Sequence, residues 1–241
     1  MPKRSVRPTD PGESHSILTG TAEQLLGPLN PLEQDHAPKR LFVAGHAEWL
    51  RERRPRVSIV GSRRPSQAGL KRAAKLARIL TEHGVIVVSG LAEGIDWAAH
   101  MATLEAGGRT IAVIGTSLSA AYPTKHRSLQ ALLMREHVVV SQFPEGHPTT
   151  RRNFPMRNRT MALLSDASVI VEAGEGSGSL SQGWEALRLG RPLFLMASIV
   201  ERRDLSWPKT MLDYGAMVLK DPSELLARLP GRVDDPLSAI A

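Results

Sequence analysis

Residues 56–84 read RVSIVGSRRPSQAGLKRAAKLARILTEHG, and they contain the unit from which the fold can be predicted. The run RVSIVGS is short, apolar and rich in β-branched residues, which is typical of a strand covered on both faces. The segment after the turn ends at Gly84 and places four apolar residues on one helical face: Leu70, Ala74, Ala77 and Leu80. The stretch therefore predicts a strand, a tight turn and a helix that packs back onto the strand.

The same unit recurs downstream. Five further runs resemble buried strands: GVIVVSG (84–90), RTIAVIG (109–115), HVVVSQ (137–142), ASVIVEAG (167–174) and PLFLMAS (192–198). Helical patterns such as GIDWAAHMATLEAGG separate them, and a weaker seventh unit ends near Pro230. This alternation predicts an α/β fold with a doubly wound, mostly parallel sheet, an extended Rossmann-like fold in a single domain over residues 38–230.

Both ends of the chain lack such a pattern. Residues 1–37 carry five prolines without a sustained period, which predicts a flexible N-terminal arm with one short helical piece around residues 21–26. Residues 231–241 are interpreted as a C-terminal tail.

Composition limits the classes of partner and location. Lys and Arg number 31 against 24 Asp and Glu, so the formal charge of +7 favours nucleic acid, nucleotides or another anionic surface. The absence of cysteine excludes disulfides and thiolate metal sites. No signal peptide or bilayer-length apolar run is present, so we expect a cytoplasmic protein without a membrane partner. Eight scattered histidines predict no metal site, and we expect no cofactor.

Small residues are concentrated where the predicted strands end. In open parallel sheets ligands bind beyond the carboxyl ends of the strands, and here four turns there are rich in Gly and Ser. The turn at 61–66 (GSRRPS) is called the first turn, and that at 174–179 (GEGSGS) the last turn. Backbone N–H groups and helix N-termini at such turns form an anion cradle. The candidate binding residues are Gly61, Ser62, Arg63, Arg64, Ser177, Gly178 and Ser179.

None of these turns carries a standard nucleotide fingerprint. The first turn lacks the third glycine of a dinucleotide motif, and no P-loop lysine is present. Arg63 and Arg64 are instead suited to bidentate contact with phosphate oxygens, although a solvated surface pair is the alternative.

Residues 151–165, RRNFPMRNRTMALLS, gather four arginines after the fourth predicted strand: Arg151, Arg152, Arg157 and Arg159. We expect them to lie over the same rim of the sheet as Arg63 and to share a polyanion with it. Phe154 either stacks on a base or acts as a hydrophobic staple beside Pro155. Asn158 either caps the helix or contacts a base edge. With four Trp, four Phe and two Tyr in the chain, phosphate contacts should dominate nucleic-acid binding.

Asp96 and His100 lie four residues apart in a predicted helix. This spacing fits an acid and base pair, but we favour a local electrostatic pair.

Longer motifs follow one another in order: KRLFVAGHAEWL, VSIVGSRRPSQAG, VVSGLAEGIDWAAH, SQFPEGHPTTRRNFPMRNRTMALLS and VIVEAGEGSGSL. As a set, over about residues 38–229, they resemble the DprA (Smf) family of DNA-processing proteins. The resemblance implies a protein that binds single-stranded DNA, forms a homodimer and helps to load a RecA-type recombinase during natural transformation. It implies a strand-binding pocket lined by Gly61, Ser62, Arg63, Arg151, Arg152, Phe154, Arg157, Asn158 and Arg159.

The chain departs from the family pattern at several points. We expect a bare central domain without the N-terminal SAM-like domain or the C-terminal winged helix of many members, and LMAS (195–198) replaces the usual VPG. Gln142 replaces a glutamate, and Thr160 and Met161 replace paired isoleucines. These differences leave room for a divergent paralogue, for example in a defence setting.

Two alternatives to a non-catalytic DNA-binding protein share the same rim. One is a sensor of a small nucleotide, and the other is a phosphoribohydrolase of the LONELY GUY type. Arg159 could stand for the arginine of that enzyme, but Gln182 lies where its carboxylate is needed and Glu185 is one turn too late. We therefore predict a protein that is not an enzyme.

Overall fold

A computed structural model describes residues 17–230 as a nine-stranded sheet in the order β1-β2-β6-β5-β4-β3-β7-β8-β9. The strands are β1 (Leu18–Gly20), β2 (Leu41–Gly45), β3 (Arg56–Val60), β4 (Ile86–Ser89), β5 (Thr110–Ile114), β6 (Val138–Ser141), β7 (Ala167–Ile170), β8 (Leu193–Met196) and β9 (Met217–Leu219). Strands β3 to β9 are parallel, whereas β2 runs antiparallel to β6 and β1 antiparallel to β2. The predicted α/β class and mostly parallel sheet are confirmed.

Helices cover both faces of this sheet. They are α1 (Ala22–Leu26), α2 (Pro31–His36), α3 (Gln67–Glu82), α4 (Ile95–Glu105), α5 (Arg127–Glu136), α6 (Asn153–Leu163), α7 (Ser179–Arg188), α8 (Ala197–Val200), α9 (Trp207–Asp213) and α10 (Pro222–Leu226). Single 3-10 turns occupy Ala47–Leu50 and Thr124–His126.

Alternating side chains of each strand serve the two faces. Val57 and Ile59 of β3 pack with α3, α4 and α10, whereas Val60 of the same strand packs with α6 and α9. Both faces are apolar because both are covered, which explains the continuous hydrophobic runs in the sequence. Burial of one such side chain stabilises the fold by about 1.5 to 3 kcal/mol.

The order of the strands places a crevice between β3 and β7. From β3 the chain builds β4, β5 and β6 on one side and then crosses back to β7 on the other. The helix that follows β3 and the helix that follows β7 therefore pack on opposite faces of the sheet. A gap opens at the carboxyl ends of the two strands, where parallel sheets bind ligands.

The chain before residue 38 differs from the predicted flexible arm. Residues 18–36 form β1, α1 and α2, and α1 confirms the helical piece expected around residues 21–26. Capping boxes begin both helices, at Thr21 with Gln24 and at Asn30 with Glu33. Leu25 is buried in the core, and Glu33 accepts a hydrogen bond from Arg191 at 2.6 Å. The elements β1 and α2 were missed because segments of three and six residues are too short to show a period.

Residues 1–16 and the predicted tail at 231–241 lie outside the described residues. Within residues 17–230, no helix combines the length and the apolar character needed to cross a bilayer.

Candidate nucleic-acid interface

A cleft of about 780 Å³ opens at the carboxyl ends of β3 and β7. The first turn, the last turn and one flank of α6 form its walls. All of the predicted site residues line this cleft except Arg152 and Arg159. The structure therefore brings together residues from segments that are about one hundred positions apart in the sequence.

Arg63 lies at the mouth of the cleft, stacked on two rings. Its guanidinium carbon is 5.3 Å from the centroid of the Phe154 ring and 6.0 Å from that of Tyr122, and the two rings are 5.2 Å apart. Gly115 at the end of β5 allows this arrangement, because a Cβ there would lie 3.0 Å from the Phe154 ring. The ring-and-cation cluster presents both a charge and an aromatic surface.

This cluster settles the geometry of Phe154. The residue is inside the first turn of α6, so it does not take the position of a staple before the helix. Base stacking on the ring remains a prediction. The sequence placed Gly115 and Tyr122 in the same turn of small residues, 115–122, without indicating that both contact Phe154.

Glu172, which follows β7, fixes the first turn. Its carboxylate accepts hydrogen bonds from the Ser66 amide at 2.7 Å and the Ser66 hydroxyl at 2.6 Å, and its carbonyl accepts one from the Ser62 amide at 2.6 Å. Gly69 leaves the room this carboxylate needs, since a Cβ at that position would collide with it. Sequence reasoning missed Glu172, because nothing in its own strand shows that it reaches the turn after β3.

Arg157 lies on the floor of the cleft and is only 5% exposed. Its Nη1 is 3.9 Å from Oδ2 of Asp96, and the guanidinium packs where a Cβ of Gly90 would otherwise be. Burial lowers the pKa of Arg157, and the Asp96 carboxylate opposes this shift. Arg157 thus differs from the solvated phosphate ligand that its place among four arginines suggested.

The predicted local pair between Asp96 and His100 is wrong. Asp96 accepts the amides of Gly90 at 3.1 Å and Ala92 at 3.4 Å and faces Arg157. Burial raises the pKa of Asp96, and Arg157 opposes that shift. His100 instead shares a hydrogen bond of 2.7 Å with the hydroxyl of Thr110, and burial lowers its pKa to about 3.

The remaining arginines of the 151–165 segment fall into two groups. Arg151 is exposed and lines the cleft, and Arg152 is exposed just before α6. Arg159 lies on the other flank of α6, with its Nε 3.4 Å from Oε2 of Glu185. The expectation that all four arginines face one cleft therefore differs from the structure, because residues two positions apart point to different sides of a helix.

The last turn leaves its backbone open. At Gly174, Gly176 and Gly178, an added Cβ would meet no atom within 4 Å. Asn158 donates a hydrogen bond of 3.1 Å to the carbonyl of Gly178, so it ties this turn to α6 and does not cap the helix. The hydroxyls of Ser177 and Ser179 hydrogen-bond to each other at 2.8 Å.

The carboxylates around the cleft are engaged in structural contacts. Asp96 faces Arg157, and Glu175 accepts hydrogen bonds from the amide and hydroxyl of Ser206. Glu185 does not line the cleft and pairs with Arg188 at 2.8 Å as well as with Arg159. In the part of the chain that the structure describes, no cluster of three or more His, Asp or Glu could hold a metal ion.

Comparison with known proteins gives consistent matches. The family model described as DNA recombination-mediator protein A matches residues 27–230. The DNA processing protein DprA of Streptococcus pneumoniae is 42% identical over 158 residues, 66% of this chain and 55% of that protein. Protein Smf of Escherichia coli is 36% identical over 193 residues, 80% of this chain and 51% of that protein. The chain spans about half the length of these curated relatives.

Solved structures agree. The X-ray structure of DNA processing protein A from Streptococcus pneumoniae has a TM-score of 0.77 at 33% identity and covers 90% of this chain and 75% of that one. DNA processing protein A of Helicobacter pylori, described with its single-stranded DNA binding mode, has a TM-score of 0.71 at 27% identity and covers 87% and 94%. The molybdenum cofactor binding protein of Rippkaea orientalis, at 17% identity and a TM-score of 0.53, covers 72% of this chain and 94% of its own and shares the fold alone.

Proposed function

The chain belongs to the DNA recombination-mediator protein A family, and we propose that it binds single-stranded DNA in the cleft between β3 and β7 without cleaving it. One observation carries the proposal: Arg63, Arg64 and Arg151 line the cleft and form no ion pair within residues 17–230. Three cations that make no ion pair within the described residues are suited to a polyanion. The Helicobacter pylori protein, whose structure is described in terms of its single-stranded DNA binding mode, supports the same class of ligand.

The aromatic surface favours a single strand over a duplex. Unpaired bases can stack on Phe154 and Tyr122 at the mouth of the cleft, whereas a duplex keeps its bases stacked on one another. In this proposal the phosphates contact the three arginines and the open amides of the last turn. Sequence preference should be slight, because phosphates carry no sequence information.

The wider role in this proposal is DNA processing in the cytoplasm during transformation, including help in loading a RecA-type recombinase. The names of the relatives support DNA processing. The proposal includes a homodimer, for which the structure offers an apolar surface: Tyr214 is 70% exposed and packs edge-on against Trp184 at 5.4 Å.

Binding of fluorescent oligonucleotides tests this function. Arg63→Ala should weaken binding of single-stranded DNA about 10- to 100-fold for all sequences alike, since a charge-assisted contact contributes about 1.5 to 3 kcal/mol. Lys71→Ala, on the exposed side of α3, is the matched control and should bind like the parent.

Three results would contradict the proposal. An Arg63→Ala protein that binds like the Lys71→Ala control across a salt titration would remove the cleft as the binding site. Stabilisation by ADP-ribose but not by oligonucleotide in a thermal-shift assay would favour the nucleotide sensor, and release of free base from AMP would favour the phosphoribohydrolase.

A further inference from the structure

A second depression, called the hollow, lies on the flank of α6 that faces away from the cleft. It has a volume of about 630 Å³, within the range of ligand pockets. Its walls come from the end of α2, the chain that leads into β2, Phe42 of β2, the loop after β6 and α6. Because β2 runs antiparallel to β6, with Phe42 opposite Ser141, the hollow sits on the same carboxyl rim of the sheet as the cleft.

The hollow is cationic. Lys39, Arg40 and Arg159 line it against a single carboxylate, that of Asp35. Lys39 and Arg40 are exposed and make no ion pair or side-chain hydrogen bond with any other residue of the 17–230 range. Arg159 shares its one carboxylate, Glu185, with Arg188. The fold itself therefore gives Lys39 and Arg40 no partner.

Apolar groups accompany these cations. Met156 is 48% exposed, and Phe42 and Pro144 lie in the same lining. The three side chains together place an apolar surface beside the unpaired cations. The combination offers contacts for both halves of a nucleotide, a phosphate and the face of a base.

Helix α6 connects the hollow with the cleft. Arg151 lines the cleft, Arg152 is exposed immediately before the helix, and Arg159 lines the hollow. The rise of an α-helix puts Arg159 about 9 Å along the axis from Asn153, the first residue of α6. Cations thus continue from one depression to the other around the start of α6.

We propose that the hollow is a second subsite for the same single strand, whose phosphates contact Lys39 and Arg40 after the strand leaves the cleft. This inference rests on the proposed function. We favour nucleic acid over an acidic protein because the cations are continuous with those of the cleft and lie on the same rim of the sheet. A strand that occupies both sites must be longer than one that fills the cleft alone.

Fluorescence anisotropy with two probes tests the subsite: an oligothymidylate of about six nucleotides and one of about twenty. The double variant K39Q/R40Q should bind the short probe like the parent and the long probe about 10-fold more weakly. For the long probe, loss of two phosphate contacts should also reduce the slope of log affinity against log salt by about 1.4. The control K71Q/K75Q removes the same charge from the exposed side of α3 and should leave both probes unaffected.

Met156 provides an independent readout. Met156→Glu places a negative charge on the apolar floor and should weaken binding of the long probe alone, whereas Met156→Leu should keep parental affinity.

The outcomes separate this inference from the proposed function. If Arg63→Ala weakens both probes while K39Q/R40Q binds the long probe like its control, the cleft stands and the subsite is overturned, which would leave the hollow to an acidic protein surface. If Arg63→Ala leaves both probes unaffected, the proposed function itself fails.

Discussion

The first turn (61–66) and the last turn (174–179) face each other across the cleft, and both are rich in Gly and Ser, yet they are built differently. The first turn is held by Glu172 and by the amide of Ile95, which donates to the carbonyl of Ser62. A Cβ at Gly61 would lie 2.7 Å from the carbonyl oxygen of Glu172, whereas the glycines of the last turn have open space around them.

This contrast separates two uses of glycine. In the first turn glycine allows close packing, and the result is a fixed frame for the exposed Arg63. In the last turn glycine leaves open space beside the backbone, although the Ser177 amide already donates to the carbonyl of Gly174. A glycine-rich turn in a sequence is therefore ambiguous until its neighbours are known.

The largest loss of stability should come from a substitution at Asp96, which lies beside the first turn at the floor of the cleft. Asp96→Asn removes the counter-charge of Arg157 while keeping the shape of the side chain, and breaking a buried pair from one side costs about 3 to 5 kcal/mol. Glu105→Gln, which breaks the exposed pair with Arg78, should cost less than about 1 kcal/mol. The free energy of unfolding in urea measures both. Equal losses of unfolding free energy would show that the buried pair of Asp96 and Arg157 stabilises the fold no more than an exposed ion pair does.

Alanine at matched glycines tests the contrast directly. Gly61→Ala forces its Cβ against Glu172 and Ile95 and should lower the free energy of unfolding by about 1 to 3 kcal/mol. Gly178→Ala has a φ of −61° and no near neighbour, so its stability should stay within about 0.5 kcal/mol of the parent. Urea titration of the two proteins suffices. If Gly178→Ala lost as much stability as Gly61→Ala, the difference between a closely packed first turn and an open last turn would be refuted.

Acid should lower the free energy of unfolding through His100, which lies in α4. The pKa of His100 is about 3 in the fold and 6.5 when unperturbed, so between these values the unfolded chain binds a proton that the folded chain does not. Stability from this group is complete above pH 6.5 and falls as the pH drops, by about 2 kcal/mol at pH 5. Unfolding of His100→Gln should show a correspondingly shallower pH dependence than the parent. The exposed His147→Gln variant should follow the parent, and a His100→Gln profile that also did so would refute the assignment.

The smallest effect concerns the two glutamates that brace the turns. Glu172→Gln loses the charge-assisted contacts with Ser66 and should cost about 1 kcal/mol of stability. Because it loosens the frame of Arg63, it should also weaken binding of single-stranded DNA a few fold. Glu175→Gln disturbs similar contacts between the last turn and Ser206, but Glu175 lines the cleft, so loss of its negative charge should not weaken binding of single-stranded DNA. Parallel anisotropy titrations compare the two variants. Equal affinities for single-stranded DNA would show that Glu172 does not contribute to binding through the first turn.

Two of the departures from the family pattern prove to be a single structural feature. Thr160 on α6 donates a hydrogen bond to the side-chain oxygen of Gln142 after β6. Positions 18 residues apart thus contact each other between the cleft and the hollow. The sequence showed both changes but not that the two side chains contact each other.

Much of the fold could be predicted because its determinants are local. The strand runs from β3 to β8 and the helix α3 show their periods within a few residues, and repeated strand–helix units have few topologies available. The short elements β1 and α2 escaped because they are stabilised by contacts with the core and with Arg191, far along the chain.

The pattern of apolar residues and glycines fixed the class of the sheet, the rim that carries the candidate site and the identity of most residues on it, because helical and strand periods are properties of neighbouring residues. The burial and the ion pairs of each arginine on α6 depend on the tertiary structure. Arg157 is buried since α4 brings Asp96 beneath it, and Arg159 is exposed on the other flank. Burial and charge pairing depend on which distant elements pack together, and no local pattern encodes that choice.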